Sequence, residues 1–358
     1  MNLQGESPMK RYPIIVFALF ALLLLGGCNA AVPAPQAEAI PSDEANVSAS
    51  VEDESTSEAE ASAPEADGEE CRTIIHDMGE TEVCGTPKTV IALGPHMLDI
   101  LLSLGVQAAG FAETQFINEE DWGQPVGNIL YLGDYVETMP INVGDRLDPN
   151  LEVITSLHPD LILSELRDEA QMELLQQIAP TLAYQGNQAD EWQRTIVPIA
   201  EALNIPQEAE RVIAEHEAYI AEKRAELEPI IAEHPRVTFV SQNQDGVLST
   251  FTTISWVGGL LADLGFELAF FPSERTATEV SVEQFPELET DIIIVGASGT
   301  ATPEIAQELW TSNPVLMAHP ASAAGRVYFV DYQLWSRLRG PISSRLVTEE
   351  LIRLLGAE

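Results

Sequence analysis

The 358-residue sequence predicts an α/β fold: two Rossmann-like lobes with central, mostly parallel sheets, joined by one long α-helix. Three observations carry this reading. Strand-like apolar runs alternate with helical periodicity from residue 89 to 203, and the alternation restarts from 236 to 355. Between them, Pro206 to about Glu228 is the longest uninterrupted helical stretch, with Val212, Ile213, Tyr219, Ile220 and Leu227 at three- and four-residue spacing among glutamates. Finally, the length and the 45% hydrophobic content suffice for about two domains. Pro206 suits a first helical turn, and Pro229 is expected to stop or kink the helix after roughly 23 residues, or about 35 Å. A rod of that length serves as a strut between lobes.

The formal charge is −40, from 57 acidic against 17 basic residues. Nucleic acid is thereby excluded as a partner, because binding it needs a basic face. The acidity runs through the whole chain and favours solubility without specifying a fold.

The N-terminus reads as an export signal over residues 1–28. Met9-Lys10-Arg11-Tyr12 is a basic start and Ile14 to Leu25 an apolar run, shorter than the roughly 20 residues a spanning helix needs. Leu25-Gly26-Gly27-Cys28 resembles a bacterial lipobox, which implies that Cys28 becomes the lipid-modified first residue of the mature chain. The body is therefore expected on the extracytoplasmic side, periplasmic or cell-surface, held to the membrane by its anchor. Residues 29–70 hold twelve acids, no base and almost no large apolar side chain, so they are expected to form a disordered acidic tether.

Cys71 and Cys84 follow the tether. An exported chain sits where disulfides persist, and with Cys28 assigned to lipid these two make a pair. Closing an edge hairpin of about 13 residues would contribute roughly 3 kcal/mol through the unfolded state. Two free thiols binding a metal are the alternative, for which further cysteines are lacking.

The first lobe is expected over 71–205. Thr89 to Leu93 is a buried-strand run broken by Gly94-Pro95, and His96 to Leu104 is helical with Gly105 as its stop. Ala108 to Ala112 is a second strand. An irregular stretch with Tyr131, Tyr135 and Gly144 precedes a turn that enters a short helix through Pro149. Leu161-Ile162-Leu163 and Thr181-Leu182-Ala183 are strands, followed by helices near Glu169–Ile178 and Trp192–Leu203. The linking helix takes 206–234 and the second lobe 235–358. In the latter, Arg236–Val240, Asp291–Gly296 and Arg326–Val330 are strands, and Ile254–Leu264 and Ile342–Leu355 helices. Two such lobes place a ligand between them, at the carboxyl ends of strands.

At this point the chain resembles a known family, the helix-hinged (class III) substrate-binding proteins of ABC importers, and most of all its iron-siderophore branch. The resemblance covers about residues 71–356. Its specific parts are Thr73 through Thr81, Val90 through Gly105, Pro149-Asn150-Leu151-Glu152 with His158-Pro159-Asp160-Leu161-Ile162, and Gly325-Arg326-Val327-Tyr328. It implies a monomeric extracytoplasmic binding protein that takes a ferric siderophore in the interlobe cleft and delivers it to a transmembrane permease dimer for iron uptake. The permease would meet one acid from each lobe, and the matching positions are Glu152 and Glu283. No cofactor and no protein-bound metal are implied, since the iron stays inside its chelator. Haem or cobalamin is the alternative ligand within the fold, with His96 or Tyr135 as the axial ligand for haem.

The charge pattern points to an anionic ligand independently. From Arg326 to Val347 four arginines, Arg326, Arg337, Arg339 and Arg345, face the single acid Asp331. Arg337 and Arg339 are expected in a cleft loop, where guanidinium forks match carboxylate, hydroxamate or catecholate oxygens and Trp335 adds an apolar wall. Arg146 matches a first-lobe arginine of the hydroxamate-binding branch, with a salt bridge to Asp145 or Asp148 as the purely structural alternative. His96, Tyr135, Arg167 and Trp256 complete the candidate contacts, Trp256 facing either ligand or core. The six histidines show no metal-binding spacing. Ser298, His319 and Asp331 supply triad residue types, but Gly296-Ala297-Ser298-Gly299 is not a nucleophile elbow, so a hydrolase is disfavoured.

Overall fold

A computed structural model describes residues 70–114, 125, 129–165 and 168–356. The export signal, the tether, Cys28 and Arg167 lie outside the described residues. Residues 64–358 form one compact unit.

It begins with β1 (Cys71–His76) and β2 (Gly79–Cys84), an antiparallel pair in which Cys71 faces Cys84 and the two are joined by a disulfide. This hairpin is a separate two-stranded sheet. The Asp77 N–H donates to the Ala183 carbonyl and the Tyr184 hydroxyl to that of Ile75, so it is tied to the main body.

The first sheet draws on β3 (Val90–Leu93), β4 (Gly110–Glu113), β5 (Ile141–Asp145), β6 (Asp148–Pro149), β7 (Leu161–Ser164) and β8 (Thr181–Ala183), in the order β6-β5-β4-β3-β7-β8. All neighbours are parallel except β5 and β6. α1 (Pro95–Ser103) follows β3, α2 (Leu151–Ser156) follows β6, α3 (Glu169–Gln176) follows β7 and α4 (Glu191–Ala202) follows β8. The four residues of β3 and of β7 are buried on both faces, which is why each reads as an unbroken apolar run. The stretch read as irregular holds β5, whose Ile-Asn-Val-Gly-Asp sequence hides a strand behind a polar and a glycine position.

The linking helix α5 runs Pro206–Glu233, 28 residues, and continues through Pro229 where a stop was expected. Pro229 lies within the last turn and a half, where a lost N–H and a ring displacing the preceding turn are tolerated more easily than mid-helix.

The second sheet has the order β12-β10-β9-β13-β14, with β11 added beside β9. Its strands are β9 (Arg236–Gln242), β10 (Leu248–Phe251), β11 (Glu267–Leu268), β12 (Ala277–Val280), β13 (Ile292–Ala297) and β14 (Val327–Asp331). β9, β13 and β14 are parallel, whereas β10 pairs antiparallel with both β9 and β12, so this sheet is more mixed than the sequence suggested. α6 (Trp256–Asp263) lies between β10 and β11, and α7 (Pro303–Ser312), α8 (Pro314–Met317) and α9 (Pro320–Ala323) lie between β13 and β14. After β14 the chain makes a π-helical turn over Gln333–Arg337 and closes with α10 (Pro341–Leu355).

The two halves share a core. One apolar cluster runs from α1 through α5 to α10 and takes in Trp192, Phe239 and Trp335, while separate clusters fill the outer face of each sheet. At its centre the fully buried Asp99 of α1 caps α10, accepting from the Ile342 N–H at 3.0 Å and the Ser343 N–H at 2.9 Å. Burial pushes its carboxyl up to about 6, against those hydrogen bonds. A Cβ on Gly340 would meet that carboxylate at 2.3 Å, so only glycine admits α10 this close to α1.

Candidate functional site

The parallel strands of the first sheet end on one side of the molecule, and polar groups gather there. Thr114 directly follows β4, Arg146 β5 and Glu165 β7, Glu113 closes β4, and His96 lies three residues beyond β3 in the first turn of α1. Strand order reverses between β3 and β7, and Glu165 sits at that switch point. It lies against Gly94 (φ 131°), where any Cβ would come within 2.4 Å of Glu165 Oε1. The second half supplies Arg337 at the end of the π turn and Arg339 just beyond it, the latter in the left-handed region at φ 61°.

Of these groups, Arg146, Glu165, Arg337 and Arg339 line a cavity of about 470 Å3. Arg146, Leu147, Glu165, Gln185 and Asn187 line it from the first half; Phe251, Ser255, Trp256, Tyr332, Arg337 and Arg339 line it from the second, with Thr276, Ala277 and Ser336 completing the wall. Backbone bonds close its floor: the Trp256 N–H donates to the Asn187 carbonyl and the Ala189 N–H to that of Ile254. The size suits a small ligand, with charged forks and aromatic rings both at hand in the wall.

The three cavity arginines are engaged with acids. Arg339 donates to Glu165 Oε2 at 2.8 Å, and Arg146 reaches the same oxygen at 3.5 Å. Arg337 donates to Thr114 Oγ1 at 2.9 Å and lies 3.5 Å from Glu113 Oε1. Three of these contacts, Arg339 to Glu165 and Arg337 to both Thr114 and Glu113, join the two halves. Burial would raise the Glu165 carboxyl, but the charges around it, Arg339 foremost, hold it below its ordinary value. Burial pushes Glu113 up, against the Thr114 N–H and Arg337. Burial, with Arg146 close by, lowers Arg337.

The structure brings together Arg146, Arg337, Arg339 and Trp256 of the residues singled out in the sequence. Arg146 pairs with Glu165 rather than with Asp145 or Asp148. Arg337 belongs to a π-helical turn and not to a loop. Trp335 does not line the cavity: it is fully buried, stacks on Phe239 at 5.9 Å and donates from Nε1 to Glu350. The π turn carries its indole into the shared core while Arg337, two residues on, reaches the cavity. His96 is buried behind the site, where burial and then Arg339 push it down to about 4, so it is neutral at physiological pH. Tyr135 lies beside Arg211, His216 and Arg345, away from the cavity. Neither of the two expected haem ligands therefore lines the cavity. Glu152, in the first turn of α2, and Glu283, in the turn after β12, are both exposed.

Sequence reasoning missed Glu113, Thr114, Glu165, Phe251 and Tyr332. Glu165 had a usable signal, since it directly follows the apolar run Leu161–Leu163 and its Ser164, at a strand end. Among the described residues the one trio of possible metal ligands is Cys71, Glu82 and Cys84, whose sulfurs are joined to each other.

Two open α/β sheets sharing a polar cleft at their strand ends define a two-sided ligand-binding protein. The chain belongs to the periplasmic binding protein family, whose sequence pattern matches residues 90–334. It is 34% identical over 285 residues to the Fe(3+)-citrate-binding protein YfmC of Bacillus subtilis, covering 78% of this chain and 85% of that one. YhfQ of the same organism, whose name includes "ABC transporter substrate-binding lipoprotein", is 27% identical over 78% of this chain and 86% of its own length. Among solved structures, Staphylococcus aureus SirA complexed with staphyloferrin B superposes with a TM-score of 0.66 at 25% identity, covering 80% of this chain and 98% of SirA.

Proposed function

We propose that this protein binds a ferric siderophore or ferric carboxylate chelate in the cavity between its two sheets and delivers it, as a monomer, to an ABC importer for iron uptake. The observation that carries this is the convergence of Arg146, Arg337 and Arg339, from both halves, on one 470 Å3 cavity that Trp256, Phe251 and Tyr332 also line. Guanidinium forks pair with chelate oxygens, and the aromatic rings cover the apolar part of the chelator. The iron(III)-citrate name of YfmC and the staphyloferrin B bound to SirA support the same ligand class. Titration with ferric citrate, a ferric hydroxamate, a ferric catecholate and haemin, followed by tryptophan fluorescence, tests the reading. Saturable quenching by at least one ferric chelate and none by haemin is expected; a Soret band with no chelate binding would overturn it.

Cys28 is the proposed lipid attachment point, and Glu152 and Glu283, exposed on separate halves, are the proposed contacts for permease arginines. In cells, Cys28→Ser is expected to abolish fatty-acid labelling. Reversing both glutamates to Arg should lower iron uptake at least about threefold while leaving the purified protein's titration unchanged. Undiminished labelling or uptake would remove the corresponding assignment.

A further inference from the structure

The cavity contains more negative charge than an anion-binding site needs. Glu165 lines it and Glu113 lies 3.5 Å from Arg337; their side chains are only 5% and 12% exposed, and with the three arginines they leave one net positive charge. Glu165 is seated deliberately by the backbone: Gly94, in a conformation side chains rarely adopt, leaves the space its carboxylate fills. Its Oε2 takes bonds from an arginine of each half, and its Oε1 has no hydrogen-bond partner among the described residues. A carboxylate needed only to anchor Arg339 would not require both halves and a glycine cradle.

Resting on the reading of the cavity as a ferric-chelate site, we infer that Glu165, assisted by Glu113, determines specificity by ligand charge. Both carboxylates compete with the ligand's oxygens for the guanidinium groups, and Glu165, in the cavity wall, also repels it directly. A weakly anionic chelate satisfies the single net charge left to the site, whereas each further negative charge is opposed at close range in a poorly solvated cavity. The arginines give the site its taste for anions; the glutamates set how much charge it accepts.

The test compares wild type, Glu165→Gln and Glu113→Gln, each near-isosteric and each checked for an unchanged melting profile. The probes are a hexadentate tris-catecholate ferric complex, which is trianionic, a hexadentate tris-hydroxamate ferric complex, which is neutral, and iron-free citrate. In Glu165→Gln the ratio of catecholate to hydroxamate affinity is expected to rise at least about tenfold, and in Glu113→Gln at least about threefold. Should Glu165→Gln not fold, the Glu113→Gln ratio decides. Ferric complexes bound with ratios unchanged within about twofold would overturn the inference and leave the chelate reading standing. Binding of neither ferric complex, with citrate tightened in the variants, would do the reverse. No tightening of any probe in either variant would end the inference.

Discussion

Arg339→Ala is expected to weaken binding of the best ferric chelate by at least about tenfold, and by up to about a hundredfold. Arg339 is 12% exposed, reaches the cavity from the second half, and holds Glu165 at 2.8 Å. Losing a charge-assisted bond to a partly desolvated ligand costs roughly 1.5–3 kcal/mol, and each 1.4 kcal/mol is tenfold in affinity. The variant also leaves Glu165 with Arg146 alone at 3.5 Å, so its repulsion of the incoming ligand grows. Arg339→Lys keeps the charge and loses the fork, and should fall between the two. Arg211 pairs with Glu208 and Glu215 on the exposed face of α5, and Arg211→Ala should change affinity less than about twofold. Calorimetric titration at matched stability decides; equal affinity for wild type and Arg339→Ala would show that the arginines are structural.

The largest effect on stability is expected at Trp335. Its indole is fully buried, stacks on Phe239 with the rings 5° from parallel, and donates to Glu350 at 2.6 Å. Truncating a buried Trp or Phe to Ala costs about 3–5 kcal/mol, and here it also strands an acceptor. Trp335→Ala should therefore lower unfolding stability by about that amount, and Trp335→Phe by less, because the ring survives without its donor. Affinity per folded molecule should stay within about twofold in both. Denaturant unfolding paired with titration separates the outcomes, and lost affinity at unchanged stability would return Trp335 to the cavity wall.

The contrast between Trp335 and Arg339 shows what the sequence made legible. A charge reversal in an acidic chain marks arginines that chance would rarely gather, and the structure does bring Arg337 and Arg339 to one cavity. The indole four residues before Arg339 carries no such signature, because the π turn that points it inward is a tertiary outcome with no local code. The glutamates were hidden for the opposite reason: among 57 acids none stands out, and only their positions, at the end of β4 and just after β7, distinguish Glu113 and Glu165. Strands showed the same split. β3 and β13, buried on both faces, were plain as apolar runs. β10 and β12, Leu-Ser-Thr-Phe and Ala-Thr-Glu-Val, were not, because their pairing is antiparallel and their outer positions are partly solvated. The helix α5 was read correctly in kind; of the stop or kink expected at Pro229 the stop does not occur, because a proline's effect depends on its distance from the helix end.

The Asp99 cap has a kinetic consequence. Swinging the halves wide apart would withdraw two amide donors from a fully buried carboxylate and split an apolar cluster continuous from α1 to α10, so such an opening is expected to be slow. The Tyr131 hydroxyl also donates to Asp331 from one half to the other, a further tie that a wide opening would break. α5 thus works as a brace rather than a pivot.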